Sequence, residues 1–379
     1  MSLVLGVLGA LVFLMALAGA VFAVIATVVM GRFLARPATK PSVLPSVTIL
    51  RPMKGLDPEA DANLLSLCDQ DYAGRVQIVL GCDSEDDPAV AAARRLKAAR
   101  PDRDITIVVD PTQHGTNRKL SNLINMAPRA SGAILVISDS DVRLPSNAIS
   151  SLVGAMASAG VGMAYALYRG RPTGNGWSRL AALDINARFM SSVVVGQALK
   201  AHPVLGPTMA VKAEALAKAG GFRQLKDVLA DDFELGRMVR EQGLAIACPP
   251  MLIDHGFPER TLGDLWRHEL RWARTIRLLN PGGYAGSLIT YITPLALLGA
   301  ALLGFSTLAL IALGVLLGVR FTQALLSCLI MDADTGAIWL FPIRDLVAFA
   351  VFLAAFFGSR IEWRGTSLRV KPDGAMASS

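Results

Sequence analysis

Charge is what this sequence lacks most visibly. Residues 1–31 contain no charged side chain, and between Tyr284 and Met331 the only one is Arg320. Uncharged apolar runs of that length exclude an ordinary soluble domain at either end and read as membrane segments. Cysteine is scarce as well. Cys68, Cys82, Cys248 and Cys328 show no CxxC spacing, which excludes a zinc or disulfide framework and leaves them as small hydrophobes of a reducing compartment. No GxGxxG follows the first strand-like run and no GxxxxGK[ST] occurs, so neither a dinucleotide fingerprint nor a P-loop is available. A nucleic-acid motif is also missing although the net charge is +7. The bases lie beside apolar segments, where anionic lipid headgroups are the matching partner and nucleic acid is not.

What is there begins with the apolar ends. A helix over residues 3–30 would run roughly 40 Å, enough to cross a hydrocarbon core of roughly 30 Å with some tilt. The positive n-region of a signal peptide is absent, so residues 1–31 are expected to stay as a transmembrane helix. Arg32, Arg36 and Lys40 follow it, and positive flanks remain cytoplasmic, which puts the middle of the chain inside the cell. Three further spans are expected within 285–358, at about 285–304, 307–330 and 340–358, ahead of a basic tail, 359–379. Gly314 and Gly318 offer a GxxxG seam, and Arg320 would pair with Asp332 or Asp345 or snorkel to a headgroup.

The middle of the chain alternates strand-like and helix-like runs. "SVTILRP", "VQIVLGC", "DITIVVD" and "AILVIS" are largely apolar runs without period-two alternation, and "AVAAARRLKAAR" and "NRKLSNLINMA" lie between them. Strands without period-two alternation are covered on both faces, so an open, mainly parallel α/β sheet is expected. Ligands of such sheets bind beyond the carboxyl ends of the strands, where Asp87, Asp139 and Asp141 fall. The run "VISDSDVR" ends a strand in two carboxylates one residue apart, and groups that close repel unless a cation lies between them. Oxygen ligands suit Mg²⁺ or Mn²⁺. In "DDFELGRMVRE", Asp231 is expected to cap a helix, and Asp232 lies at the positive end of its dipole. In "LGDLWRHELRWARTIRLL", Leu262, Trp266 and Trp272 among arginines suit a membrane interface. His114, His202 and His255 are scattered and read as structural.

An acidic pair after the second strand (Asp86, Asp87), the DxD of Asp139 and Asp141, the pair Asp231 and Asp232, and "HELRW" (His268 to Trp272) follow one another in that order. With "RPMKG", "HGTNRKLSNLINM" and "LYRGRP", this set resembles the membrane-bound inverting glycosyltransferases of GT-A fold, over about residues 45–285. Within them it resembles the ceramide glucosyltransferase family, and most of all its bacterial relatives associated with hopanoid biosynthesis. The resemblance implies a cytoplasmic, Rossmann-like GT-A domain over 45–256, an interfacial helix with an HxxRW motif over 257–284, and a multi-pass protein of the bacterial inner membrane. It also implies a UDP-sugar donor and a lipid acceptor: N-acetylglucosamine onto bacteriohopanetetrol by the bacterial likeness, glucose onto ceramide by the wider family. A processive polysaccharide synthase shares the motif logic but needs more spans for a channel.

Roles follow residue by residue from the same resemblance. Asp87 would lie near the nucleotide, and Lys119 and Asn122 beside its base or ribose. Asp139 with Asp141 would bind the divalent cation, and Asp232 would be the catalytic base. Arg271 offers a planar fork for phosphate oxygens, and Trp272 a face for sugar or acceptor. His268, where many relatives have Gln or Arg, and Trp266 would contact acceptor or interface.

Overall fold

The computed structural model describes residues 3–201 and 203–358, and the backbone alone of three short strands, 360–363, 366–370 and 376–378. The rest of the expected tail, 359–379, lies outside the described residues. Two units emerge. The body of one is Ala35–Tyr168 with His202–Pro258; the other combines Met1–Leu34, Arg169–Ala201 and Glu259–Leu368. The expected domain of 45–256 is therefore interrupted, because Arg169–Ala201 packs with the apolar helices.

The first unit holds β1 (Val47–Pro52), β2 (Val76–Cys82), β3 (Asp104–Val109), β4 (Ile134–Ser138), β5 (Val142–Arg143), β6 (Val161–Tyr165) and the start of β7 (Leu167–Pro172), on which the chain passes to the other unit. After its return come β8 (Thr208–Lys212), β9 (Ala245–Ala247) and β10 (Leu252–Phe257). Seven strands form one sheet in the order β3-β2-β1-β4-β8-β6-β9. β1, β2, β3 and β4 pair in parallel, so their carboxyl ends share one edge. β8 runs antiparallel to both β4 and β6, and the remaining pairs are parallel, so the sheet is mainly parallel as expected. That reversal brings the start of β8 to the same edge. Asp139 N–H donates to the Pro207 carbonyl at 3.0 Å there. All six residues of β1 are buried, as are all five of β4, which is what apolar runs without alternation require. Among helices, Asn117 caps Arg118–Met126 by accepting from Leu120 N–H, and its own amide holds the Val228 carbonyl at 2.8 Å. This ties the start of that helix to the loop before the helix Asp231–Glu241.

In the second unit the helix Leu3–Leu34 packs Val12, Ala16 and Ala20 on Ile292, Leu295, Ala296 and Leu316. Two described helices are long and apolar enough to cross a membrane, Leu3–Leu34 and Thr307–Ile330, and three if the bent pair Pro281–Thr290 and Ile292–Leu302 counts as one span. The expected span 285–304 is thus broken by a 65° bend. The expected span 340–358 is the helix Phe341–Ala354, about 21 Å by its length and short of the hydrocarbon core. Gly314 and Gly318 face open space and form no seam; the close approach is at Gly19, where a Cβ would stand 1.9 Å from the Ile289 carbonyl oxygen. Arg320 pairs with Asp345, and Asp332 takes Arg169 instead.

Candidate active site

Where the parallel strands end, two acidic residues from distant parts of the chain meet one lysine. Lys119, in the first turn of its capped helix, places Nζ 2.8 Å from Asp139 Oδ1 and 3.2 Å from Asp231 Oδ2. Burial opposes the ammonium, yet the two carboxylates hold its pKa above the ordinary lysine value. Asp231 is therefore no helix cap: the cap position is Ala230, which has no side chain to offer. Asp232 follows in the first helical turn and accepts the Phe233 N–H at 2.8 Å. Burial first, and the like charge of Asp231 second, push its pKa up to about 6, and the field of Asp139 adds to the rise. Gly206, just before β8, abuts this carboxylate, since a Cβ there would meet Asp232 Oδ2 at 3.1 Å.

Asp139 and Asp141 stand on the turn between β4 and β5. Burial raises the pKa of Asp139, with Lys119 pulling against it and Asp141 adding to it. Beside them β10 pairs with β5, His255 opposite Val142. His255 Nε2 lies 3.3 Å from Asp141 Oδ2, and the Tyr168 ring meets the imidazole edge-on with centroids 5.0 Å apart. Burial first, then the charges of Asp232 and Asp141, push the Tyr168 phenol well above its ordinary pKa. Beneath the turn lies Arg51, which donates to Ser138 Oγ at 2.8 Å and to the Val142 carbonyl at 3.0 Å. Its burial lowers the guanidinium pKa to about 10 against the pull of Asp141 and Asp139.

Two residues expected on the nucleotide side also hold nearby backbone. Both oxygens of Asp87 accept the Gly55 N–H, at 2.9 and 3.1 Å, and one caps the helix Pro88–Ala99 at Ala89. The open cleft of about 410 Å³ there is lined by Lys54, Gly55, Ser84, Asp86, Asp87 and Pro88. Asn122 is buried and donates to the Gly81 carbonyl at 2.8 Å, so it braces the end of β2. His268, Arg271, Trp272 and Trp266 are on the helix Leu262–Leu279 of the other unit. There Thr261 and Asp264 form a reciprocal capping box, and His268 Nδ1 lies 2.6 Å from Glu259 Oε1.

The chain matches glycosyl transferase family 21 over residues 11–376. It belongs to that family. Among curated relatives of this family-21 chain, a ceramide glucosyltransferase of Komagataella phaffii is 37% identical over 120 residues, 31% of this chain and 23% of that protein. The ceramide glucosyltransferase 3 of Caenorhabditis elegans is 22% identical over 339 residues, 85% of this chain and 72% of that protein. The chain thus spans less than a quarter of the yeast relative's length. A mannosyltransferase of Pyrobaculum calidifontis, solved with GDP-Man and Mn²⁺, superposes with a TM-score of 0.56 at 20% identity, over 91% of this chain and 99% of that one. The fold is GT-A.

For the divalent cation that this fold implies, the donor set fits. No group of three or more His, Cys, Asp or Glu side chains able to cage a metal occurs among the described residues. Mg²⁺ and similar hard cations are held by one or two carboxylates with substrate phosphates completing the shell, and Asp139 and Asp141 are two such carboxylates.

Arg51, Tyr168 and Gly206 were not singled out individually from the sequence, and His255 was read there only as structural. Arg51 had a signal, a lone charge inside the apolar run "VTILRP", where a buried cation needs partners. Tyr168 and His255 had none, because their nearness to Asp141 arises from strand pairing between segments far apart in the chain.

Proposed function

We propose that this family-21 chain transfers a sugar from a UDP-sugar to a hydroxyl of a lipid acceptor, in one displacement that inverts the anomeric centre. The observation that supports it best is the meeting of Asp139, Lys119, Asp231 and Asp232 at the carboxyl edge of the parallel strands, where ligands of such sheets bind. Asp139 and Asp141 would hold Mg²⁺ or Mn²⁺, which when bound stabilises the negative charge of the departing diphosphate. Lys119 balances the carboxylates and keeps them folded against one another. Asp232, ionised above about pH 6, takes the proton of the acceptor hydroxyl. Its Phe233 hydrogen bond and its contact with Gly206 hold it in one orientation. To Arg271 and Trp272 the proposal assigns the roles implied by the family likeness, phosphate binding and acceptor stacking, and to His268 and Trp266 a place at acceptor or interface. Asp87 and Asn122 keep the nucleotide side in shape through Gly55 and Gly81.

The likeness to bacterial relatives favours N-acetylglucosamine as the sugar and bacteriohopanetetrol as the acceptor, in the inner membrane with the catalytic unit cytoplasmic. The curated relatives named ceramide glucosyltransferases support a second reading, glucose onto ceramide. Purified protein in detergent with Mn²⁺, given each donor with each lipid, separates them by the mass of the product. One pairing is expected to yield a lipid with a single added sugar. A ladder of sugars would replace the proposal with a polymer synthase, and no product in any pairing would remove it.

A further inference from the structure

The helix bearing the HxxRW motif is gripped on two consecutive residues. Glu269 is paired with Arg344, whose Nε also donates to the Leu180 carbonyl at 2.8 Å. His268, just before it, meets Glu259, a carboxylate buried to 4% exposure three residues ahead of the helix. A carboxylate can only accept at this contact, so Nδ1 carries the hydrogen. The other side of the imidazole is occupied by Trp272, with ring centroids 4.3 Å apart and planes at 66°. An edge-on contact of this kind restricts the rotation of both rings, and i,i+4 spacing on a helix brings them together.

We propose that Glu259 is a positioning residue for the transfer reaction: by fixing the ring of His268 it fixes the indole of Trp272. Histidine has two nitrogens and a ring that can turn about χ2, so it needs an anchored partner to present one face, and Glu259 supplies it. The inference rests on the role proposed for Trp272 and deepens it.

The test uses full-length protein in detergent labelled with 5-fluorotryptophan, which gives one ¹⁹F resonance for each of the five tryptophans; Trp272→Phe identifies the relevant one. Glu259→Ala is expected to shift or broaden the Trp272 resonance and leave the other four in place. It should also lower kcat roughly 10- to 100-fold, as misplacement of a substrate-contacting group does, with the donor KM within about twofold. Glu259→Gln, which keeps an accepting oxygen, is expected to restore most of both. His268→Ala cuts the same link from the other side and should move the same resonance, which covers the case in which Glu259→Ala fails to fold. An unmoved Trp272 resonance in either alanine variant, or a Gln variant as impaired as the Ala variant, overturns the proposal. Wild-type protein that transfers no sugar would sink the proposed function, while the ¹⁹F readout would still decide the role of Glu259.

Discussion

Arg320 and Asp345 face each other inside the apolar unit through two hydrogen bonds, Nε to Oδ2 at 3.0 Å and Nη2 to Oδ1 at 2.7 Å. Further polar partners surround the pair. Thr293 donates to Asp345, and Arg320 Nη1 reaches Gln323 and the Ala187 carbonyl. That carbonyl belongs to a stretch of π-helix, Ile185–Phe189, and Gln323 donates to it as well, at 3.0 Å.

Removing one partner should therefore hurt more than removing both. Asp345→Ala leaves a buried guanidinium unbalanced and should cost about 3–5 kcal/mol. Arg320→Met with Asp345→Leu should recover much of that loss. Thermal unfolding in detergent, followed by size-exclusion profile, checks it; a double variant no better than the single would show that the pair is not the source of the stability.

Asp232→Asn should abolish turnover and leave UDP binding nearly intact, as removal of a base does. In the wild-type enzyme the rate should fall about tenfold per unit below pH 6, as a base with that pKa becomes protonated. The stability effect has the opposite sense. The folded pKa of about 6 exceeds the ordinary 3.8, so the folded state binds more protons between those values and stability falls as pH rises through them. Asp232→Asn, which is always neutral, should match the wild type below about pH 4 and be more stable above pH 6, by about 3 kcal/mol. Denaturation at pH 4 and pH 8 tests this, and a variant less stable at pH 8 contradicts it.

Asp139→Asn should weaken UDP binding in the presence of Mn²⁺ by at least about tenfold, since a charged oxygen ligand is lost. Binding without metal should change little. Calorimetric titration with and without Mn²⁺ separates the two; equal losses in both would assign Asp139 to the fold and not to the cation.

Arg51→Met should destabilise the protein by about 2–4 kcal/mol, because Ser138 Oγ and the carbonyls of Val142 and Asn63 lose a buried donor. The same change should loosen the Asp139–Asp141 turn and raise the Mn²⁺ concentration needed for half-maximal binding. An unchanged requirement would confine Arg51 to stability.

The sheet was legible because β1, β2 and β4 are largely apolar with no period-two alternation, the pattern of a strand covered on both faces. Asp139 and Asp232 could be picked out as candidates from the order of the acidic motifs along the chain, whereas the pairing of Lys119 with Asp139 and Asp231 could not. The reversal of β8 was not, since "TMAVK" reads the same in either direction. Nor was the bend in the expected span 285–304, because composition counts apolar residues and does not register where a helix breaks.

By itself the sequence determined which stretches avoid water, which runs become strands, and which residue types could hold a cation or take a proton; these depend on local composition and spacing. Only the tertiary structure decided that Asp231 spends its charge on Lys119, that His255 and Tyr168 stand beside Asp141, and that Glu259 holds His268. Those are contacts between segments far apart in the chain, chosen by strand order and helix packing, and a linear pattern of residues does not encode a distance between them.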